Sequence, residues 1–156
     1  MKTIHSIFIS LWIAIGLSCT ATHQTSVPTP LADSLFGPEQ AGTYRVRIRT
    51  TRMEMTGILI VRYQDDAWRG SLINEFGIKA FDFIVKKQKC RLLNTVSLLN
   101  RWYIRKIIEN DFSFLFGKEQ RGGGAKGKSL TFQSNGMFTL TNERQHIEYI
   151  FQPMTE

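Results

Sequence analysis

The spacing of apolar residues changes along this chain, and that change limits the folds open to it. Tyr44, Val46 and Ile48 alternate with arginines, which is the period of a strand with one buried face. From residue 98 to residue 116 apolar residues recur every three or four positions, and this pattern predicts one long helix. Period-two segments return in residues 129–151. The sequence therefore predicts an α+β domain with strands on both sides of a single helix.

The predicted strands are separated by very short connections. Five precede the helix and three follow it, at residues 44–49, 55–63, 68–76, 78–85, 90–96, 129–133, 136–141 and 144–151. Such connections join antiparallel neighbours. We expect an antiparallel sheet that is strongly curved, or an unclosed β-barrel, packed on one long helix at residues 98–116. Ser97 is the predicted N-cap, Gly57 a predicted bulge, and Ile58 to Val61 a segment covered on both faces.

The beginning of the chain has the layout of a secretory leader. Lys2 gives it a positive start, residues 7–18 are mostly apolar, and polar sequence follows Cys19 at once. The residues before Cys19 are similar to the box at which bacterial lipoprotein leaders are cleaved, except that Gly16 stands where an aliphatic residue is usual. We expect Cys19 to carry a diacylglyceryl group and an acyl chain such as palmitate, which together anchor a protein stably. The alternatives are an ordinary signal peptide and a membrane helix, although the run is shorter than the ~20 residues of a span.

This leader sets the expected domain organisation and compartment. Residues 1–18 form the lipoprotein signal peptide, residues 19–42 the lipidated cysteine and a flexible, proline-rich tether, and residues 43–156 a single domain. No acidic cluster follows Cys19, which favours the periplasmic face. We therefore expect a cell-envelope protein, lipid-anchored in the outer membrane and facing the periplasm.

The chain is basic, with a formal net charge of +7 that comes mainly from residues 45–52, 86–91 and 121–128. Nucleic acid is the usual partner of such a chain, but an exported protein rarely meets it. The expected partners are instead the membrane, through the lipid anchor and its anionic headgroups or lipopolysaccharide, and other envelope proteins. The alternative is a solvated basic face that binds nothing in particular.

Motifs for catalysis are weak throughout. Residues 122–129 match the phosphate-loop pattern G-x-x-x-x-G-K-S, but they follow a helix and enter a strand, so no helix N-terminus faces a phosphate. His146 is the one histidine beyond the leader and tether, and no metal-ligand spacing is present. Glu75 and Asp82 could pair only if the strand register brings them together. We expect no enzyme activity, no nucleotide and no cofactor, and we expect Cys90 to be a buried, inert thiol.

Large apolar residues are concentrated on the predicted sheet and helix. They form a solid core, or they leave a cavity between sheet and helix that holds a lipid or acyl chain. The candidate cavity residues are Leu59, Val61, Leu72, Phe81, Phe83, Ile104, Ile108 and Phe112.

Three segments carry a resemblance to known proteins. Residues 55–61 (MTGILIV), 72–83 (LINEFGIKAFDF) and 99–112 look like a group of small uncharacterised lipoproteins of the Bacteroidota, over residues 44–116. More distantly, the chain is similar to lipoprotein carriers of the LolA/LolB type, which are unclosed barrels with an acyl-binding interior. The resemblance implies an open barrel and an envelope lipoprotein that binds a lipid or acyl chain, and it transfers no site residues. The alternative is a non-enzymatic scaffold lipoprotein with a solid core.

Overall fold

Eight strands and one helix make up the part of the chain that the computed structural model describes, residues 41–117 and 127–154. In chain order they are β1 (Gly42–Arg49), β2 (Glu54–Gln64), β3 (Ala67–Asn74), β4 (Lys79–Lys86), β5 (Lys89–Leu93), α1 (Trp102–Leu115), β6 (Lys128–Phe132), β7 (Phe138–Asn142) and β8 (Ile147–Pro153). The predicted leader, Cys19 and nearly all of the predicted tether lie outside the described residues. So do residues 118–126 of the Gly-rich segment.

The strands form one antiparallel sheet that curls into a half-barrel. Its order is β5-β4-β3-β2-β1-β8-β7-β6. β5 and β6 are the two edges, and no strand pairing joins them within the described residues. The predicted α+β fold, a curved and unclosed antiparallel sheet packed on one helix, is confirmed.

Alternation along the strands places one set of side chains inside the curl. Val46 on β1 and Leu59 and Val61 on β2 are almost completely buried. Ile58 and Ile60, which point the other way, are only half-buried. The prediction that this segment is covered on both faces was wrong, because no element among residues 41–117 and 127–154 covers the outer face of the half-barrel there.

Two hairpins use tight two-residue turns with left-handed backbone. Asp65 and Asp66 have φ of 53° and 59°, and Lys87 and Gln88 have φ of 48° and 65°. Positive φ at both central residues matches the right-handed twist of the flanking strands. Both turns lie where the sequence predicted them.

Gly57 does not form the predicted bulge. Its pairings with both neighbouring strands are regular, and the register shift lies instead between Leu72 and Ile73, where β3 faces β4. A Cβ on Gly57 would stand 2.5 Å from the Ile73 carbonyl oxygen. The glycine is therefore required for a close approach of two strands, not for an extra residue.

The helix begins four residues later than the sequence predicted. Ser97 is not its N-cap: residues 97–100 form a turn, and Arg101, with extended φ and ψ, occupies the cap position without a side-chain capping bond. The apolar pair Leu98 and Leu99 continues the helical spacing into this turn, and that continuation misled the prediction.

The helix lies along the free edge of β5 and replaces the strand that would continue the sheet there. Ser113 Oγ accepts a hydrogen bond from the Cys90 amide at 2.8 Å, and Glu109 Oε1 accepts one from the Leu92 amide at 2.9 Å. Arg105 Nη2 donates to the Leu92 carbonyl at 2.8 Å. Side chains of α1 thus satisfy the backbone of the edge strand.

The other side of α1 faces the opposite edge of the sheet. Lys128, the first residue of β6, places its ammonium 2.8 Å from the Asp111 carboxylate and 5.9 Å from the centre of the Phe114 ring. The helix therefore bridges the two edges of the half-barrel across its open side.

The half-barrel has two ends with different contents. One end carries the connections at residues 50–53, 75–78, 94–101 and 143–146, and we call it the mouth end. The other end carries the turns at 65–66, 87–88 and 133–137, together with the start of β1, and we call it the tether end.

Candidate functional site

An apolar pocket of about 200 Å³ opens at the mouth end, between the sheet and the first half of α1. It is lined by Ile48, Thr50, Met53, Met55, Phe81, Leu99, Ile104, Ile107, Ile108, Ile147 and Tyr149. Two of these residues carry hydroxyls, and both are engaged elsewhere. Thr50 Oγ1 donates to the Met53 carbonyl at 3.1 Å, and the Tyr149 hydroxyl donates to Asp111 at 2.9 Å. The described lining of this mouth pocket therefore offers hydrocarbon and thioether surface, and no free polar group, to an occupant.

The volume of the mouth pocket limits what it can hold. Pockets that bury a drug-sized ligand have volumes of roughly 300–1,000 Å³, whereas a dry apolar cavity of about 150 Å³ is enough for benzene. A pocket of about 200 Å³ thus accommodates the end of one hydrocarbon chain and not a whole lipid.

The structure divides the predicted cavity residues into two groups. Phe81, Ile104 and Ile108 line the mouth pocket. The other five, Leu59, Val61, Leu72, Phe83 and Phe112, are buried in the packed core and do not line it.

Aromatic packing explains why the core is solid between the mouth pocket and the tether end. The ring of Phe112 lies edge-on to Phe83 at 5.0 Å, to Phe81 at 5.6 Å and to Tyr149 at 6.2 Å between centres. Phe116 lies 5.4 Å from Phe83. Rings from the helix and from two strands therefore fill the middle of the half-barrel, and the mouth pocket lies nearer the mouth end.

Exposed apolar side chains are concentrated around the mouth. Of the eight large apolar residues that are exposed within residues 41–117 and 127–154, seven lie at the mouth end and one, Met154, at the tether end. We call these seven the apolar rim: Met53, Phe76, Ile78, Leu93, Leu98, Trp102 and Tyr103. Phe76 and Trp102 are 85% and 76% exposed. Large apolar side chains that are exposed together mark a surface that contacts a protein, a membrane or a ligand.

A buried polar cluster lies behind the mouth pocket, centred on Asp111. This carboxylate is completely buried and accepts hydrogen bonds from Asn142 Nδ2 at 2.7 Å and from the Tyr149 hydroxyl at 2.9 Å. The Lys128 ammonium lies 2.8 Å away. Burial, together with the neighbouring Asp111 charge, raises the pKa of Tyr149 well above its ordinary value. The cluster ties α1 to β6, β7 and β8, and its polar atoms satisfy one another.

Sequence reasoning did not identify this cluster, although one signal was present. Asp111 interrupts the apolar stripe of the helix, three residues after Ile108 and four before Leu115. A carboxylate on the buried face of a helix needs a partner. Its position predicts a buried ion pair, but the identity of Lys128 depends on the tertiary fold.

Lys128 also belongs to the phosphate-loop pattern at residues 122–129, part of which lies outside the described residues. Its ammonium is paired with Asp111, and Ser129 lies within β6. A phosphate loop instead requires a lysine directed at the phosphates and a serine at the start of a helix. These two residues therefore do not have the arrangement of such a loop.

Glu75, Asp82 and His146 have separate surroundings. Glu75 accepts a hydrogen bond from Thr56, whereas His146 lies in the turn before β8. Asp82 accepts from Ser71 at 2.5 Å and contacts Lys79 at 3.1 Å. Desolvation raises the pKa of Asp82, but its hydrogen bonds and the Lys79 charge outweigh that effect and lower the pKa below its usual range. The three groups are not brought together as one catalytic set.

The remaining predicted residues have structural surroundings. Cys90 is buried, as predicted, and desolvation together with the Glu109 charge raises its pKa to about 12. Arg49 pairs with Glu54 at 3.1 Å and with Glu148 at 3.3 Å on the outer face of the sheet. Part of the basic excess is thus neutralised by neighbouring strands.

No group of three or more His, Cys, Asp and Glu residues that could hold a metal ion occurs in residues 41–117 and 127–154. In the same ranges, no helix has the length and apolar character needed to cross a bilayer.

No protein-family model matches the sequence, and a search of curated proteins finds no significant match.

Proposed function

We propose that this chain is a non-enzymatic, lipid-anchored protein of the cell envelope whose half-barrel binds the end of an acyl chain in the mouth pocket. The observation that carries the proposal is the lining of that pocket, which is hydrocarbon apart from two hydroxyls already hydrogen-bonded within the protein. Such a surface favours an apolar ligand and discriminates against polar ones, since a polar group would lose its water without a replacement partner.

Two further features support an acyl chain over another apolar ligand. The pocket is open at the mouth end, so a chain attached to a larger headgroup or to a protein can enter tip first. The predicted leader would place the domain beside a membrane, where acyl chains are the abundant apolar ligand. Each CH₂ group moved from water into such a site contributes about 0.8 kcal/mol.

Native mass spectrometry of the unacylated chain, residues 19–156 with Cys19→Ser purified without detergent, tests the proposal directly. We expect a co-purifying mass that extracts into organic solvent, or a complex after palmitate is added. A bare protein mass that stays bare with palmitate, phospholipid and acylated peptide would contradict acyl binding.

A pocket-filling variant locates the site. Ile104→Trp places a large ring in the mouth pocket and should lower palmitate affinity at least about tenfold, since displacing two CH₂ groups is enough for that loss. Lys106→Trp is the matched control, because Lys106 is exposed on the same helix. Equal palmitate binding by both variants would exclude the mouth pocket as the site.

A scaffold lipoprotein is the second candidate, and the packed centre of the half-barrel favours it. Phe83, Phe112 and Tyr149 are almost completely buried and leave no room among them for a ligand. A domain of this kind would recruit envelope proteins through its surface. A bare protein mass in the experiment above, with partners recovered by crosslinking in cells, would favour it.

A further inference from the structure

We infer that the apolar rim docks on the surface of a phospholipid bilayer and holds the mouth pocket against it. The inference rests on the proposed function, because it supplies the route by which an acyl chain would pass between membrane and pocket. It also makes a separate claim, that a defined set of exposed side chains inserts into the interfacial layer.

The first argument is the distribution of exposed apolar surface. The rim residues come from separate connections, at 50–53, 75–78 and 94–101, from the last residue of β5 and from the first turn of α1. Scattered single apolar residues are normal on a surface, but a concentration at one end marks a contact surface. The tether end, by contrast, has only Met154 among the described residues.

The second argument is the composition of the rim. Trp102 and Tyr103 are adjacent, and aromatic residues of these two types are enriched at the level of lipid headgroups. Arg52 and Arg101 are exposed beside Met53 and Trp102, and neither forms an ion pair with any described residue. Apolar side chains flanked by free cations suit an interface with anionic lipids.

The third argument is that a bilayer leaves the mouth usable. A protein partner seated on a rim that surrounds the mouth would cover the entrance of the pocket. A bilayer seated there instead brings acyl chains to the entrance. A bilayer can therefore contact the rim and supply the pocket at the same time, whereas a protein on the rim would block the pocket.

The length of chain outside the described residues permits this orientation. Cys19 precedes Gly42 by 23 residues, which span at most about 80 Å when extended. The eleven residues of β2 span about 35 Å. Although β1 starts at the tether end, a chain anchored at Cys19 is long enough for the mouth end to reach the same membrane.

Flotation with vesicles tests the inference on the unacylated chain. We expect the chain to float with vesicles of phosphatidylcholine and phosphatidylglycerol, and to remain partly bound at about 0.5 M salt, where long-range attraction between charges is screened. The double variant Phe76→Ser, Trp102→Ser should partition at least about tenfold less, because two large exposed side chains no longer insert. Met154→Ser, at the tether end, should partition like the parent chain.

A second variant tests whether the vesicles bind instead to a positively charged surface at the tether end. Lys86, Lys87 and Lys89 lie at the tether end, and replacing all three by Gln removes that positive charge. Undiminished flotation of this variant supports the rim. Two results would overturn the inference. The first is flotation that depends on these lysines and not on Phe76 and Trp102. The second is the absence of flotation with phosphatidylcholine and phosphatidylglycerol vesicles, which would leave a protein as the occupant of the rim.

Fluorescence provides a direct reading, because residues 19–156 contain only two tryptophans, Trp68 and Trp102. Trp68 is buried, so a blue shift on adding vesicles reports Trp102. An unchanged emission spectrum with bound vesicles would contradict insertion of the rim.

The pocket-filled variant Ile104→Trp separates this inference from the proposed function. Its flotation should equal that of the parent chain, even though its palmitate binding is weakened. If palmitate binding fails in every form while rim-dependent flotation persists, the proposed function alone is wrong. If Ile104→Trp loses flotation together with palmitate binding and remains folded, the vesicle contact depends on the pocket and the rim inference is wrong.

Discussion

The two halves of α1 differ in their surroundings, although they form one continuous helix. In the second half, Asp111, Phe112 and Leu115 are almost completely buried and contact both the sheet and the polar cluster. In the first half, Trp102 and Tyr103 face solvent, and Ile104 is only partly buried beside the mouth pocket. One end of the helix is fixed in a dense core, and the other borders open space.

This difference shows how a small domain can combine stability with an open apolar pocket. Dense aromatic packing and a buried ion pair hold the helix from its second half. Its first half then needs few contacts of its own to keep its position, because the helix is rigid over this length. The mouth pocket can remain partly empty without loss of the fold, and the following variants test that division.

The largest expected effect comes from Phe112→Ala. Removing a buried ring that contacts three others leaves a cavity, and we expect a loss of about 3–5 kcal/mol in the free energy of unfolding. Urea denaturation followed by circular dichroism measures it. A loss below about 1 kcal/mol would mean that the second half of α1 is not the fixed half.

Asp111→Ala should have an effect of similar size. It leaves the Lys128 ammonium and the Asn142 amide in a buried site without their shared acceptor, and breaking such a pair costs about 3–5 kcal/mol. The neighbouring Asn110→Ala, at an exposed position, should change stability by less than about 0.5 kcal/mol. Equal stability of the two variants would show that the cluster does not hold the helix.

Alkaline pH should weaken the same half of the helix. Because the folded-state pKa of Tyr149 is raised, its contribution is fully present below the unfolded-state pKa of about 10 and is lost as pH rises towards the folded-state value. In this range the free energy of unfolding of the parent chain should fall by up to about 1.4 kcal/mol per pH unit relative to that of Tyr149→Phe, whose ring does not titrate. Parallel stability curves for the two proteins between pH 9 and pH 11 would contradict a buried, neutral tyrosine.

The smallest effects are expected in the first half of α1. Ile104→Ala removes a partly buried side chain beside existing open space, so the loss should stay below about 2 kcal/mol, the lower limit for a fully packed site. Tyr103→Ser, at an exposed position, should change stability by less than about 0.5 kcal/mol. Thermal unfolding of both variants measures these losses in stability. A larger loss of stability for Ile104→Ala than for Phe112→Ala would mean that the first half of α1 is the fixed half.

Local patterns predicted most of the fold. Alternation of apolar and polar residues around Val46 and Phe83 predicted strands, and the short gap between the strands predicted at residues 55–63 and 68–76 predicted a turn, because each is decided by neighbours in sequence. The start of α1 was not predicted, since Leu98 and Leu99 keep the helical spacing in a turn. The spacing of residues in the sequence does not show whether those side chains have a surface to pack against in the fold.

The candidate site was predicted only in part, for a related reason. The list of large apolar residues contained Phe81, Ile104 and Ile108, which line the mouth pocket, but it could not separate them from Leu59 and Phe112 in the core. That separation depends on the depth at which α1 lies in the curl, which is set by strand register and by the Asp111 cluster. No apolar pattern in the sequence encodes either quantity.

The contact between α1 and the free edge of β5 also affects how copies of this chain meet. An exposed strand edge is a template on which another chain can add a strand, and aggregation begins in this way. Here the edge amides of Cys90 and Leu92 already donate to Ser113 and Glu109. Copies of this chain that lie close together would therefore find no open edge at β5, because the helix that bridges the half-barrel also protects that strand from pairing with another chain.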